Sequence, residues 1–453
     1  MRFGLRSLAG ALLALALPAR AELPAVQLLG ADTAAIADVR LSETRGPAPA
    51  LTPGERAVRG VRLERRGPPT DALREGVVAF SGLPAGRHWG VLVRTQVDGW
   101  PLSGFEARAH LEPDGRLLAP VPLPFRLTGP VEAFAVDTTA SVERLTAPIL
   151  MEDPLDADPI GDRWPLIFIP GKSNQNDQTA DHYEEGKILV WREIRAHPGY
   201  AQLRRRYKPY IYMYPTYRSF ADSAADLVRL VREHCGDLST RHVALVAQSL
   251  GGPVARHAMT TDHFGDRVCR IITISSPHHG TVGASLRYAN ERISERLGPI
   301  YTLVLRFGQA IEPDTPCLRD LAWDGYDGGI TAADQQRYGV LLNATVAQYN
   351  ATWPYDDRLV CLASDITGNL LGHGMAWGVP QELYRRGVAA WLPRYGNADP
   401  IVPHGSATDE GHALLERIEL TNVDHEQLIF HPRVVAAVYR HLTEAALHPA
   451  GPR

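Results

Sequence analysis

The sequence predicts two domains, a small β-sandwich followed by a larger α/β domain in which helices cover a mostly parallel sheet. Three observations support this prediction. The chain has 453 residues, which is too long for one ordinary hydrophobic core. Short strand-like runs separated by turn residues fill the first third, and apolar strand-like runs alternate with helical ones in the remainder.

The composition is that of a soluble globular protein. Hydrophobic residues make up 45% of the chain, charged residues make up 22%, and the formal net charge is -4. This near-neutral balance argues against a disordered chain and against a nucleic-acid-binding surface. We therefore expect no nucleic-acid partner.

The first 21 residues have the features of a signal peptide. Arg2 and Arg6 supply a positive start, and residues 8–17 form an apolar run that is too short to span a bilayer. The A-R-A sequence at 19–21 then fits the pattern of a cleavage site. A buried N-terminal helix is the alternative. No later stretch has the length and hydropathy of a membrane helix, so we expect a secreted or periplasmic protein.

Residues 22–150 predict a β-sandwich-like N-terminal domain. Glycine, proline and Asp-Gly turn signals separate its strand-like runs. The predicted strands are Ala57–Glu64, Gly76–Phe80, His88–Val97, Phe105–Leu111 and Val131–Asp137. Residues 151–163, which combine proline, glycine and many aspartates, then predict a linker.

Residues 164–453 predict the α/β domain. Their strand-like runs are apolar on both faces, as in a parallel sheet covered by helices. An amphipathic helix is predicted at Phe220–His234 and a closing helix at Pro432–Leu442. The predicted strands are Pro165–Ile169, Pro209–Tyr214, His242–Ala247, Val268–Ser275, Arg358–Ala363 and Arg417–Thr421.

Two inserts interrupt the alternation of strands and helices, at residues 281–357 and 365–392. Both follow the carboxyl ends of strands, where ligands bind in open α/β sheets. We therefore predict a mostly helical cap over a binding site. The apolar run Pro299–Ile311 is its most lid-like segment, and the alternative is a cap helix packed on the body.

A serine follows one of the buried strands, in V-A-L-V-A-Q-S-L-G-G at residues 243–252. A helix begins directly afterwards, so Ser249 lies on a strand-to-helix turn. Such a turn strains the serine backbone, exposes the hydroxyl, and requires small residues two positions before and after it. Ala247 and Gly251 meet that requirement. A plain Ser-Gly-Gly turn is the purely structural alternative.

The region 164–453 resembles the α/β-hydrolase lipases and esterases. Residues 243–257 resemble their nucleophile elbow, and I-T-I-S-S-P-H-H-G at 272–280 resembles the strand and loop that follow it in bacterial lipases. C-L-R-D-L at 317–321 resembles a segment of their cap region. Separately, residues 81–115 resemble the N-terminal immunoglobulin-like domain of acyl-CoA thioesterases and bile-acid acyltransferases.

The resemblance to hydrolases implies which acid and histidine complete a triad with Ser249, in the chain order serine, acid, histidine. Asp399 lies in Y-G-N-A-D-P-I-V-P, which resembles the G-x-x-D-G-x-V-P loop of lipases with Pro400 in place of a glycine. His425 follows the last predicted strand and precedes the last helix. The competing acids and histidines are Asp365, Asp424, His257, His278, His279 and His404.

Two backbone N–H groups are predicted to hold the oxyanion of a tetrahedral intermediate. One belongs to Leu250, the residue after the proposed nucleophile. The resemblance places the other after the first strand, where I-P-G-K at 169–172 stands in place of the His-Gly-x of lipases. Lys172 is the predicted donor, and Ser173 is the alternative.

Export makes disulfides possible, and the 4 cysteines allow three pairings. The layout implied by the hydrolase resemblance favours the pairs Cys235–Cys269 and Cys317–Cys361. The cysteine spacing is not that of a zinc ribbon, and no carboxylates complete a site around the adjacent histidines of the P-H-H-G stretch. We predict no metal site and no cofactor.

The sequence therefore predicts an exported serine hydrolase that cleaves carboxylic esters through an acyl-enzyme. Its partner is an ester substrate, including one presented on a lipid or polymer surface, and lipase, carboxylesterase, phospholipase and polyester hydrolase activities all fit. An acyltransferase or thioesterase is one alternative, prompted by residues 81–115. A non-catalytic binding protein on a hydrolase scaffold is the other.

Overall fold

Two units make up the computed structural model of the chain, and the division falls between residues 140 and 141. The described residues are 26–29, 39–43, 56–65, 74–97, 100–109, 111–123, 130–139, 148–153, 155–172, 191–236, 238–239, 241–298, 302, 305, 315–365, 399, 401–421, 423, 425 and 427–447. The predicted signal peptide lies outside these residues, as do almost all of the predicted lid-like segment 299–311 and of the second insert 365–392. Within the described part of the chain, no helix combines the length and the apolar character needed to cross a membrane.

The first unit contains two antiparallel sheets. Its strands β1 to β8 are Val26–Leu29, Val39–Glu43, Arg56–Arg65, Arg74–Phe80, Trp89–Val97, Trp100–Ala109, Leu117–Leu123 and Val131–Asp137. Strands β1, β4 and β7 form one sheet, and β2, β3, β8, β5 and β6 form the other in that order. Strand β7 contacts β5 and β8 of the larger sheet. The predicted antiparallel β domain is confirmed, and β1, β2 and β7 are strands that the sequence analysis missed.

The second unit contains a seven-stranded sheet. Its strands β9 to β15 are Ile149–Glu152, Trp164–Ile169, Tyr207–Met213, Val243–Gln248, Val268–Ile274, Leu359–Asp365 and Glu416–Thr421. The strand order is β15-β14-β13-β12-β10-β11-β9, and β9 alone among these strands is antiparallel to its neighbour. All six predicted strands of this region are present. The predicted open α/β architecture is confirmed.

Helices cover both faces of this sheet. Helices α1 to α11 are Arg192–Ala196, Tyr200–Arg206, Phe220–Cys235, Gly251–Thr260, Val282–Leu286, Ser294–Leu297, Pro316–Asp320, Ala332–Tyr338, Ala344–Ala351, His404–Ala407 and Pro432–Leu447. On one face α3 and α4 contribute Leu227 and Val254 to the core. On the other face α2 and α11 contribute Leu203 and Val438. Every residue of β10, β12 and β13 is buried between these layers, which explains their uninterrupted apolar sequences.

The local sequence accounts for the ends of α3, which packs beside the helix that follows Ser249. Ser219 lies at its N-cap, where the side-chain oxygen accepts a hydrogen bond from the N–H of Asp222 (3.0 Å). The helix ends before Gly236, which has a φ of 69°. A glycine adopts this left-handed conformation without steric conflict, so the chain can turn there.

The described part of the first predicted insert, residues 281–357, is helical. It contains α5 to α9 and a small core of its own, which includes Leu286, Trp323 and Tyr338. The predicted helical character of this insert is confirmed for the described residues.

The structure differs from the predicted linker at residues 151–163. Ile149–Glu152 forms β9, which pairs with β11 at the edge of the sheet. Asp153 is only 1% exposed and forms an ion pair with Arg195 (2.8 Å). A buried carboxylate requires such a partner, so this segment packs on the second unit instead of bridging two domains.

The predicted disulfides are absent, because all four cysteines are free and buried. Cys235 packs on one face of the sheet and Cys269 packs on the other, so their sulfur atoms are separated by the sheet itself. Cys361 lies within β14, where its Sγ is 3.4 Å from Thr273 Oγ1. Cys317 lies in α7, and burial raises the pKa of its thiol to about 12.

Candidate active site

Ser249 lies on the turn between β12 and α4. Its φ is 51°, in the left-handed region that residues other than glycine rarely adopt. Its N–H donates to the carbonyl oxygen of Ile274 on the neighbouring strand (2.8 Å), which anchors the turn to β13. The Ser249 residue is partly exposed, unlike the buried strand before it.

Close packing accounts for the two glycines after Leu250. A Cβ at Gly251 would lie 2.3 Å from the carbonyl oxygen of Ile169, at the end of β10. A Cβ at Gly252 would lie 2.3 Å from the side chain of Ser276, just after β13. Because side-chain carbons do not approach other atoms so closely, larger residues at either position would push α4 away from the strand ends.

His425 connects Ser249 to Asp399. Its Nε2 lies 2.9 Å from Ser249 Oγ, and its Nδ1 lies 2.6 Å from Asp399 Oδ2. Because the carboxylate accepts a hydrogen bond from Nδ1–H, Nε2 is the nitrogen left to accept from the serine hydroxyl. His425 is 6% exposed and Asp399 is 0% exposed. The structure thus brings the three predicted triad residues together in the order that general-base activation of a serine requires.

Four donors hold the carboxylate of Asp399. Its Oδ1 accepts from the N–H groups of Ile401 (3.1 Å) and Val402 (2.7 Å). Its Oδ2 accepts from His425 and from the hydroxyl of Ser275. Ser275 is fully buried and has a φ of 47°. This serine was not among the residues predicted from the sequence, although its place at the end of a strand beside the elbow strand was a usable signal.

Of the two competing acids, Asp365 lies within the described residues. Asp365 ends β14 and pairs in register with Thr421 of β15, and the carboxylate at His425 Nδ1 belongs to Asp399. Asp424 lies outside the described residues.

The competing histidines have other partners. His278 Nε2 lies 3.0 Å from Thr273 Oγ1, and burial lowers the pKa of His278 to about 3. His257 Nδ1 lies 2.9 Å from the carbonyl oxygen of Pro253, and burial lowers the pKa of His257 to about 4. The other two face carboxylates outside the triad, His279 at Asp324 (2.7 Å) and His404 at Glu419 (3.1 Å).

The loop after β10 passes directly beside the nucleophile. A Cβ at Gly171 would lie 2.7 Å from the Cβ of Ser249. The N–H of Gly171 donates to Gln248 Oε1 (3.0 Å), a contact that the sequence analysis missed. Because this N–H is already bonded, Lys172 carries the next backbone donor along the loop. Leu250, the other predicted donor, directly follows Ser249 and lies at the N-cap position of α4.

The side chain of Lys172 is in an unusual setting for a lysine. Burial, helped by the nearby Arg287, lowers the pKa of Lys172 to about 8. Ser173, the alternative oxyanion donor, lies outside the described residues.

Residues 221–297 match the family model of the PGAP1-like alpha/beta domain. No curated protein matches the chain. Among solved structures, the mature lipase BlEst2 of Bacillus licheniformis is 17% identical over 66% of this chain and 98% of that chain, with a TM-score of 0.40. Phospholipase PlaB of Legionella pneumophila is 17% identical over 54% of this chain and 44% of that chain, with a TM-score of 0.32. Carboxylesterase CesB of Bacillus subtilis is 12% identical over 67% of this chain and 95% of that chain, with a TM-score of 0.30.

The matched segment 221–297 contains the strand, turn and helix around Ser249. The sheet that surrounds this segment is mostly parallel, and helices cover both of its faces. The strand order, the left-handed serine turn after the central strand β12, and the helices on both faces give the chain an α/β-hydrolase fold, and the family match spans that turn.

Proposed function

We propose that the chain is a serine hydrolase that cleaves carboxylic esters through an acyl-enzyme. The distance of 2.9 Å between Ser249 Oγ and His425 Nε2 carries this proposal, because it joins a hydroxyl on a strained, partly exposed turn to a base. The contact of 2.6 Å between His425 and Asp399 supports it by fixing the orientation of that base.

In the proposed first half-reaction, Ser249 Oγ attacks the ester carbonyl carbon while His425 Nε2 accepts the serine proton. The tetrahedral intermediate collapses, the C–O bond to the alcohol breaks, and His425 donates the proton to the departing alcohol. The acyl group remains as an ester on Ser249. Water then attacks this ester with His425 as base, and the carboxylic acid leaves as the serine recovers its proton.

Two further groups act on the charges that develop. Asp399 stabilises the imidazolium that forms at His425 in both half-reactions. The N–H groups of Leu250 and Lys172 are the proposed donors to the oxyanion, since they lie on the two segments that flank Ser249.

The proposed location is secreted or periplasmic, and residues 1–21 support it through their charge, apolar run and cleavage pattern. Substrates in this proposal include soluble esters and esters at a lipid or polymer surface. The Ser249–His425–Asp399 contacts favour a catalytic protein over a binding protein on a hydrolase scaffold.

The test compares wild type and Ser249→Ala on p-nitrophenyl esters with short and long acyl chains. We expect kcat to fall by at least about 10⁴-fold in Ser249→Ala, because the proposed acyl-enzyme is formed on the Ser249 hydroxyl. Ser294→Ala, which removes a hydroxyl from α6, serves as the control and should retain full activity. Undiminished turnover by Ser249→Ala would end the proposal.

A second assay separates hydrolysis from acyl transfer. Wild type is given an acyl-CoA, with and without an alcohol acceptor. Transfer to the acceptor without ester hydrolysis would replace the proposal with an acyltransferase, and preferential cleavage of acyl-CoA would replace it with a thioesterase.

A further inference from the structure

Outside the triad, Asp356, Asp409 and His412 bring two carboxylates and an imidazole together. One ligand-type atom of each residue lies within 4.8 Å of those of the other two. Asp356 lies in the short 3-10 turn before β14, and the other two lie in the turn between α10 and β15. Because β14 and β15 are parallel neighbours, the segments that lead into them meet at the same end of the sheet.

Hydrogen bonds to the backbone hold these two turns together. The N–H of Leu415 donates to the carbonyl oxygen of Asp356 (3.0 Å). The guanidinium of Arg417, in β15, donates to the carbonyl oxygens of Asp409 (3.0 Å) and His412. The backbone that carries the three side chains is therefore positioned by the fold itself.

Asp409 gives a second, independent indication of a ligand at this place. Its side chain is 0% exposed, and its Oδ1 lies 3.2 Å from Arg256 Nη1. Its other oxygen, Oδ2, is buried and has no hydrogen-bond partner among the described residues. Oδ1 of Asp356 is also buried, and the described group near it is His412 Nδ1 (3.3 Å), a member of the same cluster. A buried carboxylate oxygen without a donor, as at Asp409 Oδ2, is unfavourable, and a bound cation would offset that penalty.

The His412–Asp356 distance and the chemistry of the three side chains fit zinc. His412 Nδ1 lies 3.3 Å from the carboxylate oxygens of Asp356. Two ligands that each lie about 2.1 Å from a tetrahedral zinc ion are about 3.4 Å apart. An imidazole combined with carboxylates suits zinc, whereas calcium and magnesium take oxygen ligands alone.

We propose that Asp356, Asp409 and His412 form a zinc site, with water in the fourth position. The role of the metal is structural, because it joins the turn before β14 to the turn before β15. None of its three ligands belongs to the triad, so the site does not depend on the proposed esterase activity. The sequence analysis predicted no metal because Asp356 is far along the chain from the other two ligands.

The experiment uses the full chain, stripped of metal with a chelator and then titrated with zinc chloride alone. We expect one zinc ion per chain by calorimetry and metal analysis, and a rise of about 5 °C in the thermal midpoint. Asp356→Asn and His412→Gln should each weaken zinc binding by more than about 100-fold. Asp357→Asn is the matched control, since this neighbouring carboxylate is 53% exposed and should not alter binding.

Circular dichroism and the thermal midpoint of each metal-free variant establish that it is folded before zinc is added. Zinc binding that is undetectable in wild type, or unchanged in folded His412→Gln, would overturn the proposal, because the ion would then be held elsewhere. Parallel titrations with calcium and magnesium chloride complete the test. Tighter binding of either ion than of zinc would also overturn the zinc assignment.

Discussion

Among the buried carboxylate–imidazole pairs of the second unit, His425–Asp399 and His279–Asp324 differ in what the second ring nitrogen meets. His425 Nδ1 lies 2.6 Å from Asp399, and its Nε2 lies 2.9 Å from the hydroxyl of Ser249. His279 Nδ1 lies 2.7 Å from Asp324, and its Nε2 lies 3.0 Å from a carbonyl oxygen, that of Glu410.

A carbonyl oxygen can only accept a hydrogen bond, whereas a hydroxyl can also donate one. The His279 ring therefore has an acceptor at each nitrogen, and the Asn350 side-chain amide, 3.2 Å from Nδ1, is too weak an acid for a histidine to deprotonate. The His425 ring lies between an acceptor and a donor, which is the arrangement of a general base. A buried acid beside a histidine is thus insufficient to indicate a catalytic site. The group at the other ring nitrogen distinguishes a general base from a structural histidine.

The largest expected effect comes from His425→Asn compared with His279→Asn. In each pair the asparagine amide can still donate to the carboxylate. Asparagine has no atom at the position of the histidine Nε2, so the contact made by that nitrogen is lost. We expect His425→Asn to lower kcat by at least about 10⁴-fold without a change in the fold. His279→Asn should retain kcat within a few-fold and lower the thermal midpoint by about 2–4 °C, for one lost hydrogen bond. Equal losses of kcat in the two variants would remove the distinction between the pairs.

The second-largest effect on kcat is expected from substitution of Asp399, in comparison with Asp324. Asp399→Asn should lower kcat by about 10³- to 10⁴-fold, because an amide does not stabilise the imidazolium and favours the wrong tautomer. Asp324→Asn should leave kcat nearly unchanged and reduce stability instead. Initial rates and urea unfolding of both variants test this, and a catalytic defect confined to Asp324→Asn would reverse the assignment of the two pairs.

Ser275→Ala should have a smaller effect on the catalytic pair. It removes one of the four donors to Asp399, and we expect kcat to fall about 10-fold with KM unchanged. Ser276→Ala removes the adjacent buried hydroxyl, which lies 3.4 Å from the carbonyl oxygen of Ile274, and serves as the matched control. A rise in KM without a fall in kcat would show that Ser275 acts on substrate binding rather than on the acid.

The smallest effect concerns His257, a histidine kept neutral by burial, in contrast to His425, the proposed base. The pKa of His257 is lowered from 6.5 to about 4, so between these values the unfolded chain binds a proton that the folded chain does not. Its contribution to stability is therefore complete above pH 6.5 and is lost as the pH falls towards 4. His257→Gln should make the free energy of unfolding less dependent on pH in this range, by at most about 1.4 kcal/mol per pH unit.

Urea unfolding at several pH values between 4 and 7 measures this difference. His263→Asn is the control, since it removes a histidine whose side chain is 93% exposed. A pH dependence that is the same in His257→Gln and wild type would contradict the prediction.

The parts of the fold that follow from local burial could be predicted from the sequence. The strands β10, β12 and β13, and all but the last residue of β14, were found because burial on both faces produces nearly continuous apolar runs. Ser249 was predicted because its turn requires small residues two positions before and after it. This requirement can be checked within one short stretch of sequence.

The parts that depend on contacts between distant residues could not be predicted. Ser275 donates to a carboxylate that lies 124 positions later in the chain. The predicted disulfide between Cys235 and Cys269 was wrong. The two sulfur atoms pack on opposite faces of the sheet, and only the folded chain determines on which face each one lies. The edge strand β9 was missed because its four residues gain their partner only when β11 lies beside them.

This edge strand also sets where the catalytic unit can be cut from the rest of the chain for expression. A truncation that began at Trp164, the predicted start of the domain, would remove β9 and leave Tyr210–Met213 of β11 without the hydrogen bonds of that neighbour. It would also remove Asp153, the ion-pair partner of Arg195, whose side chain is only 14% exposed. An exposed strand edge invites pairing between copies and aggregation. A soluble catalytic fragment therefore has to begin before Ile149.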